Sequence, residues 1–288
     1  MSTTQSNCSD SSSEYEPEYE IESIVIAEKN QNITFDVLTV VPPPLEYMSS
    51  LHSAQQEISG RRIWCGSKLL SEFLLHKDSH HTEIDGTKVS FQNYFFQKRI
   101  LELGSGTGIV GMTIATQCQP KCVALTDGDE ETVNLLIQNL DNKSNHCFKE
   151  ENPVASGAKL LWGMDGEGEG GYVPFCQFCQ SQWPHLFPLN TEDGEEDGVM
   201  FDCILAGDVL YKKDLPTLFF STIQRFLTKD GVLYLCHVPR ADVTQQVVKD
   251  AANEANFKWE EIDITDVKQD LVETDDDIYR ACIYRISF

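Results

Sequence analysis

The feature that most constrains this chain is a regular alternation of short apolar runs with amphipathic segments, which begins near residue 99 and continues to the end. Apolar runs of strand length, such as "RILEL" and "CVALTD", are each followed by apolar residues at helical spacing, as in "IVGMTIATQC" and "EETVNLLIQNL". This order predicts a three-layer α/β protein with a mostly parallel sheet. The last two β-runs, "KWEEIDI" and "IYRACIYRISF", lack a helix of crossover length between them, so we expect them to pair antiparallel.

Composition divides the chain into a tail, a domain and an insertion. Residues 1–22 contain Ser, Asp and Glu but no Lys or Arg, which predicts a disordered acidic tail. Residues 23–288 are predicted to form one globular domain that opens with a β-hairpin and a helix over residues 23–76. Residues 163–200 carry many glycines and acidic residues but no Lys or Arg, and are predicted to form an acidic insertion loop.

The charge balance limits the classes of partner. The chain has 46 acidic and 22 basic side chains and a formal net charge of -24. A field of this sign repels phosphate backbones, so nucleic acid is not expected as a partner. We interpret the acidic runs as solvated surface, with a funnel for a lysine-rich substrate as the alternative.

The ten cysteines are scattered, no apolar leader follows Met1, and no apolar run reaches membrane-spanning length. These observations predict a reduced, soluble protein of the cytoplasm, with the nucleus as an alternative compartment, and no membrane association. A monomer is expected. The single CxxC pair, Cys176 and Cys179, lacks a second pair or a histidine cluster, so we interpret it as ordinary thiols and expect no metal site.

Three alternate glycines follow the first strand of the alternation, in "ILELGSGTGIVG" over residues 100–111. Glycine admits unusual φ angles and lets a ligand approach the main chain closely. A dinucleotide fingerprint requires G-x-G-x-x-G. Counted from Gly104, the third glycine is replaced by Ile109, whereas the count from Gly106 is satisfied by Gly111, so the glycine pattern alone leaves the ligand open.

Two carboxylates narrow the choice of ligand. Asp127 ends the second strand, where an acidic residue is expected to accept ribose hydroxyls from either NAD or S-adenosylmethionine. Glu102 lies beside the glycine loop, where a carboxylate suits a cationic, amine-bearing ligand better than a pyrophosphate. The pair therefore favours S-adenosylmethionine.

The segments "ILELGSGTG", "LTDGDE", "LLWG" and "FDCILAGDVLY", in this order, resemble the signature of the class I, seven-stranded S-adenosylmethionine-dependent methyltransferases. The segments "GRRIWCGSKLL" and "DVLY" resemble the protein-lysine branch, which includes the calmodulin-lysine, elongation-factor-lysine and chaperone-lysine enzymes. The resemblance covers about residues 20–288. It implies a Rossmann-like three-layer sandwich with seven strands, an N-terminal β-hairpin extension, a C-terminal antiparallel pair, and S-adenosyl-L-methionine as cofactor.

The resemblance also implies roles for individual residues around the cofactor. Trp64 would pack against it, Glu102 and residues 104–108 would cradle its methionine part, Trp162 would border the adenine, and Asp208 and Tyr211 would face the methyl group. The implied cofactor-binding residues are Trp64, Glu102, Gly104, Ser105, Gly106, Thr107, Gly108, Asp127, Asp129, Trp162 and Ala206, with Asp127 and Asp129 at the ribose and Ala206 on the floor. Alternatives remain for several of them, since Asp208 and Tyr211 could cap the next helix and both tryptophans could be core residues.

The implied activity is methyl transfer to a lysine side-chain amine of a protein substrate. Other acceptors are a protein histidine, a small amine or a nucleobase, and a non-catalytic interaction protein is the alternative outside enzymes. Asp208-Val209-Leu210-Tyr211 lacks the prolines of the Asn/Asp-Pro-Pro-aromatic tetrad that nucleobase amino-methyltransferases often carry. With the negative net charge, this disfavours a nucleobase.

Overall fold

The computed structural model describes residues 16–28, 31–42, 58–83, 85–146, 154–188, 198–271 and 276–288. The strands are β1 (Tyr19–Glu28), β2 (Gln31–Val40), β3 (His80–Thr82), β4 (Lys88–Ser90), β5 (Arg99–Leu103), β6 (Cys122–Asp127), β7 (Ala155–Lys159), β8 (Phe201–Gly207), β9 (Leu227–His237), β10 (Lys258–Ile262) and β11 (Cys282–Ser287). The helices are α1 (Cys65–Leu75), α2 (Phe91–Phe95), α3 (Ile109–Gln117), α4 (Glu130–Asp141), α5 (Tyr172–Gln182), α6 (Leu215–Phe226), α7 (Gln245–Glu254), α8 (Thr265–Asp270) and α9 (Asp276–Arg280). Within these ranges, no helix has the length and apolar character needed to span a bilayer.

Seven strands form the central sheet in the order β10-β11-β9-β8-β5-β6-β7. Strands β9, β8, β5, β6 and β7 are parallel neighbours, whereas β11 runs antiparallel to both β9 and β10. The predicted fold class is confirmed, including the mostly parallel seven-stranded sheet and the C-terminal antiparallel pair. The chain leaves β5 toward β6 on one side and later returns to β8 on the other, which creates a switch point between β5 and β8.

The inner strands β5, β6 and β8 are buried on both faces, which is why they are continuous apolar runs instead of alternating patterns. In β5, Ile100 packs into one core with the hairpin and helices α1 to α4. Leu101 and Leu103 point the opposite way into a second core with α5, α6 and α7. The result is a sheet between two helical layers.

The predicted N-terminal hairpin is confirmed, with β1 and β2 paired from Tyr19 opposite Val40 to Glu28 opposite Gln31. Asn139 of α4 holds the hairpin on the domain, because its Oδ1 accepts from the Leu38 N–H at 2.7 Å and its Nδ2 donates to the Leu38 carbonyl at 3.2 Å. The hairpin thus packs beside α4, the helix that follows the predicted ribose-binding strand.

Two predicted boundaries differ from the structure. Strand β1 begins at Tyr19, inside the tail predicted for residues 1–22, because its backbone pairs with β2 despite its acidic composition; residues 1–15 lie outside the described part. Helix α5 lies inside the insertion predicted as a loop over residues 163–200, of which 189–197 are outside the described part. The helix buries Phe175 and Cys179, but the many glycines and acidic residues around it mask this apolar pattern in the sequence. The CxxC pair, Cys176 and Cys179, lies on this helix.

Candidate active site

A cavity of about 790 Å³ lies at the carboxyl ends of β5, β6 and β8, at the switch point of the sheet. Open α/β sheets bind ligands at this position. The volume falls in the range of small-molecule sites, about 300–1,000 Å³. Ten of the thirteen residues predicted for the site line the cavity: Trp64, Gly104, Ser105, Gly106, Thr107, Asp127, Asp129, Trp162, Asp208 and Tyr211.

The alternate glycines of the loop adopt left-handed conformations, with φ of 65° at Gly104, 53° at Gly106 and 91° at Gly108. A Cβ on Gly104 would approach Val209 Cγ1 to 2.7 Å, and one on Gly106 would approach the Gly60 carbonyl oxygen to 2.8 Å. Side chains at these positions would therefore collide with the cavity walls. The bare backbone is a packing requirement as well as an opening for a ligand.

Asp127 connects the end of β6 to the glycine loop. Its Oδ2 accepts from the Gly106 N–H and its Oδ1 from the Asp129 N–H, both at 3.1 Å. Burial raises the Asp127 pKa, and these N–H groups act in the opposite direction. Each carboxylate oxygen has more than one acceptor site, so both can still accept from a ligand hydroxyl at the cavity.

Asp129 caps α4. Its Oδ2 accepts from the backbone N–H and the hydroxyl of Thr132, both at 2.8 Å, and also pairs with Arg61 Nη2 at 3.5 Å. Arg61 is almost fully buried, pairs with Glu131, and donates to the Tyr19 hydroxyl at 3.3 Å. It therefore links the hairpin to the first turn of α4. Sequence reasoning missed Arg61, although the acidic run "DGDEE" offered partners for it.

Glu102 lies beneath the glycine loop and does not line the cavity. Its Oε2 accepts from the Gly111 N–H at 2.9 Å, and the residue is 2% exposed. Burial raises its pKa to about 8. Gly108 and Ala206 are also outside the lining, and Gly207 lines the cavity where Ala206 was expected to form the floor. Glu102 is thus placed to support the loop instead of contacting an amine in the cavity.

Two tryptophans form part of the cavity wall. Trp64 directly precedes α1, its indole N–H donates to the Ser59 carbonyl at 2.8 Å, and the residue is 37% exposed. Trp162 follows β7 and packs edge-on against Phe219, with ring centroids 5.1 Å apart. Trp64 is therefore not a core residue, and Trp162 presents an aromatic surface beside the glycine loop.

Asp208, immediately after β8, is a buried acid in the cavity wall. Its side chain is 1% exposed, and its Oδ2 accepts from Arg240 Nη2 at 2.9 Å. No hydrogen-bond partner for its Oδ1 is found among the described residues. Burial raises the Asp208 pKa to about 6, although the Arg240 cation lowers it.

Tyr211 lies at the mouth of the same cavity and is 40% exposed. Helix α6 begins at Leu215 with Asp214 at its N-cap position, upstream of which lie Asp208 and Tyr211, and the Asp214 side chain makes no capping hydrogen bond. The alternative in which Asp208 and Tyr211 cap this helix is therefore wrong. The two residues instead stand at different depths of one cavity.

Sequence reasoning also missed three cations in the lining, Arg62, Lys212 and Arg240. Arg240 pairs with both Asp208 and Asp277, which come from separate parts of the chain. No local pattern marks such residues, because their role depends on which loops the sheet brings together.

The site residues fit S-adenosylmethionine on three points of geometry. The loop offers a backbone cradle that any Cβ would fill, Asp127 retains acceptor capacity for hydroxyls, and Trp162 offers a flat apolar surface. No group of three or more metal-ligating side chains occurs in the part of the chain that the structure describes. The arrangement can hold a nucleoside at one end of the cavity and an acceptor near Asp208.

Residues 48–169 match the sequence profile of the lysine methyltransferase family. Protein-lysine N-methyltransferase EFM6 of Saccharomyces cerevisiae is 26% identical over 176 residues, which are 57% of this chain and 56% of that protein. EEF1A lysine methyltransferase 3 of Mus musculus is 26% identical over 154 residues, 52% of this chain and 50% of that protein. Human methyltransferase-like protein 22 is 21% identical over 205 residues, 71% of this chain and 44% of that protein. The chain spans about half the length of the curated relatives it matches.

The fold is similar to that of a solved methyltransferase structure complexed with SAH, with a TM-score of 0.51 and 12% identity. The likeness covers 93% of this chain and 56% of that one. The strand order and this likeness show a Rossmann-like fold of the kind seen in that methyltransferase, and residues 48–169 are similar to the lysine methyltransferase family.

Proposed function

We propose that this protein binds S-adenosylmethionine and transfers its methyl group to a lysine side-chain amine of a protein substrate. The main support for the proposal is that candidate cofactor-binding residues and candidate acceptor-binding residues line the same cavity. The glycine loop and Asp127 lie on the side of β5 and β6, and Asp208 and Tyr211 lie at the exit of β8. The family match and the relatives named as protein-lysine methyltransferases support lysine as the acceptor.

Each part of the cofactor has candidate residues in this site. Gly104 to Gly108 would hold the methionine part, Asp127 would accept from the ribose hydroxyls with Asp129 beside it, and Trp162 would border the adenine. Trp64 would cover the cofactor from the α1 side. Glu102, Gly108 and Ala206 would act indirectly, by shaping the loop and the floor from beneath.

S-adenosylmethionine supplies an activated methyl group when bound, so the protein has to orient the acceptor and exclude water. A lysine amine has a pKa of about 10.4 in water and must lose a proton before it can act as a nucleophile. Entry into a partly apolar cavity lowers that pKa. Asp208, whose pKa is about 6, would be mostly ionised at neutral pH and would attract and orient the amine, while Tyr211 would position its side chain at the mouth.

Calorimetry with S-adenosylmethionine and S-adenosylhomocysteine tests the first half of the proposal. Saturable heat is expected with both, and no heat would favour a non-catalytic interaction protein. A tritiated-methyl assay on fractionated cell lysate, followed by mass spectrometry of the labelled band, tests the second half. Label on lysine is expected, whereas label on histidine, a small amine or nucleic acid would show that the lysine assignment is wrong.

The proposal extends to a monomer in a reducing compartment, the cytoplasm or the nucleus. The eight cysteines in the described ranges are free thiols, which supports the reducing compartment and does not bear on the monomer. Size-exclusion chromatography with light scattering tests the monomer, and fluorescence microscopy of the tagged protein tests the compartment.

A further inference from the structure

The cavity is lined by three cations and three carboxylates, although the chain as a whole has 46 acidic and only 22 basic side chains. Arg62, Lys212 and Arg240 line it, together with the exposed aromatic residues Trp64 and Tyr211. We call these five residues the cationic mouth. The formal charge of the cavity lining is therefore balanced, whereas that of the protein as a whole is strongly negative.

The cations of the mouth are arranged on its aromatic rings. The guanidinium carbons of Arg62 and Arg240 lie 5.8 Å and 5.9 Å from the centroid of the Trp64 ring, and Lys212 Nζ lies 5.2 Å from that of Tyr211. Cation–π contacts of this kind hold a guanidinium against the ring face while its N–H groups remain available to an acceptor. Arg62 and Arg240 both contact the Trp64 ring, so their positive charges repel each other. An anion bound between them would reduce this repulsion.

Arg62 differs from Arg61 and Arg240 in having no carboxylate partner among the residues that the structure describes. Arg61 is buried and paired with Asp129 and Glu131, and Arg240 is paired with Asp208 and Asp277. Arg62 is exposed, and no carboxylate lies within ion-pair distance of it in the described part of the chain. With respect to the described residues, its positive charge is therefore uncompensated at the opening of the cavity.

We propose that the cationic mouth recognises an acidic side chain that flanks the acceptor lysine on the substrate protein. This inference rests on the proposed lysine methylation and adds a determinant of specificity to it. Arg62 provides the main contact, since a guanidinium can donate two parallel hydrogen bonds to a carboxylate. Trp64, Tyr211 and Leu218, each at least 37% exposed, offer apolar surface to the aliphatic parts of the same segment. A basic flank would be repelled by Arg62, which argues against the lysine-rich funnel considered from composition.

A protein partner fits the mouth better than a nucleic acid does. Nucleic-acid binding draws on several phosphate contacts and the release of their counterions. Of the two mouth arginines, only Arg62 lacks a carboxylate partner among the described residues, in a chain of net charge -24. A single carboxylate on a peptide is enough to pair with the guanidinium of Arg62.

The test is a peptide-binding experiment by fluorescence anisotropy, with and without S-adenosylhomocysteine. The probes are fluorescein-labelled peptides with one central lysine and flanks of Glu/Asp, Ser/Gly or Lys/Arg, beside a single-stranded oligonucleotide. Acid-flanked peptides are expected to bind about five- to tenfold more tightly than neutral ones, with a preference that decreases as salt is added. Arg62→Glu should abolish the preference, and Arg62→Lys should retain part of it.

Lys121→Glu is the matched control, because Lys121 is exposed and directly precedes β6, at the end of the strand away from the cavity. It carries the same charge reversal and should leave the preference intact. Equal binding of all flanks, tighter binding of basic flanks or of the oligonucleotide, or no binding of any peptide at millimolar concentration would each overturn the inference.

A methylation assay on the same peptides separates this inference from the proposed function. Acid-dependent binding without methylation of lysine would support recognition of an acidic side chain by the cationic mouth and count against lysine as the acceptor. Methylation that is indifferent to the flanks would leave the function standing and overturn the inference.

Discussion

Arg240 Nη2 lies 2.9 Å from Asp208 Oδ2, and this ion pair joins the segments that follow the neighbouring strands β8 and β9. The Asp208 side chain is 1% exposed and that of Arg240 is 25% exposed, so the cation neutralises an acid that is almost completely removed from water. Asp208 also has a left-handed backbone, with φ of 58°. A left-handed backbone and a buried carboxylate both lower the stability of the fold. Such costly features concentrate at functional sites, which supports a functional role for Asp208.

Replacing Arg240 should raise the pKa of Asp208 above its present value of about 6, because burial would then act without the opposing cation. In Arg240→Gln the folded state would hold the Asp208 proton more tightly than the unfolded chain, so stability should fall as pH rises through the new pKa. Carboxyl ¹³C NMR titration, with Asp208→Asn to identify the signal, measures the shift. Arg240→Lys should largely preserve the pKa of Asp208. An unchanged Asp208 pKa in Arg240→Gln would show that Arg240 does not influence this carboxyl group.

Asp208→Asn and Tyr211→Phe should reduce methyl transfer far more than cofactor affinity, because both residues are assigned to the acceptor. Positioning and proton-handling groups contribute roughly 10²–10⁴ in rate. Turnover on the identified substrate, calorimetric affinity for S-adenosylhomocysteine and melting temperature are measured on the same variants. Near-normal turnover in both folded variants would remove them from the mechanism and leave the fold assignment unaffected.

Gly106→Ala should weaken cofactor binding and destabilise the domain, because its Cβ would approach the Gly60 carbonyl oxygen to 2.8 Å. Gly86→Ala is the matched control, since Gly86 has a similar left-handed φ of 84° but no described atom lies within 4 Å of the added Cβ. The left-handed backbone should lower the free energy of unfolding of both variants by about 1 kcal/mol. The collision should lower that of Gly106→Ala by about 1–3 kcal/mol more. Urea unfolding and calorimetry compare them, and equal losses would show that close packing at the loop is unimportant.

Glu102→Gln should stabilise the protein increasingly as pH rises from 5 to about 8. The folded-state pKa of Glu102 is about 8 against an ordinary 4.5, so the wild-type fold loses stability as pH rises through this interval. The amide oxygen of the variant can still accept from the Gly111 N–H, and its side chain has no proton to lose. The melting-temperature difference between variant and wild type should grow with pH by a few degrees, and a constant difference would contradict the buried, protonated state.

Asp127→Ala should weaken S-adenosylmethionine binding by about 1.5–3 kcal/mol, the usual worth of a hydrogen bond to a charged acceptor. Asp129→Ala should instead lose about 1 kcal/mol of stability, because Asp129 caps α4, with a smaller effect on affinity. Calorimetry and thermal unfolding separate the two effects. Unchanged affinity in a folded Asp127→Ala variant would move the ribose contact to Asp129.

Much of the fold could be predicted because the inner strands β5, β6 and β8 are buried on both faces and therefore form continuous apolar runs, such as Leu101 and its neighbours in β5. The prediction failed where composition concealed a local pattern, as in α5, whose buried residues Phe175 and Cys179 lie among glycines and acids. Ten of the predicted site residues meet at one cavity, but the side-chain direction of Glu102 could not be predicted. Its carboxylate turns beneath the loop because the Gly111 N–H lies there, a contact that depends on how α3 packs on β5.

The sequence by itself determined the order of strands and helices, the antiparallel C-terminal pair and the place of the glycine loop, because these depend on hydrophobic periodicity and on backbone freedom within short segments. Only the tertiary structure decided which charges are neutralised at the cavity. Arg61 meets Asp129 at 68 residues' separation and Arg240 meets Asp208 at 32, whereas Arg62 has no acidic partner in the described part. Electrostatic pairing depends on distances of a few ångströms in space, and the fold sets these independently of separation along the chain.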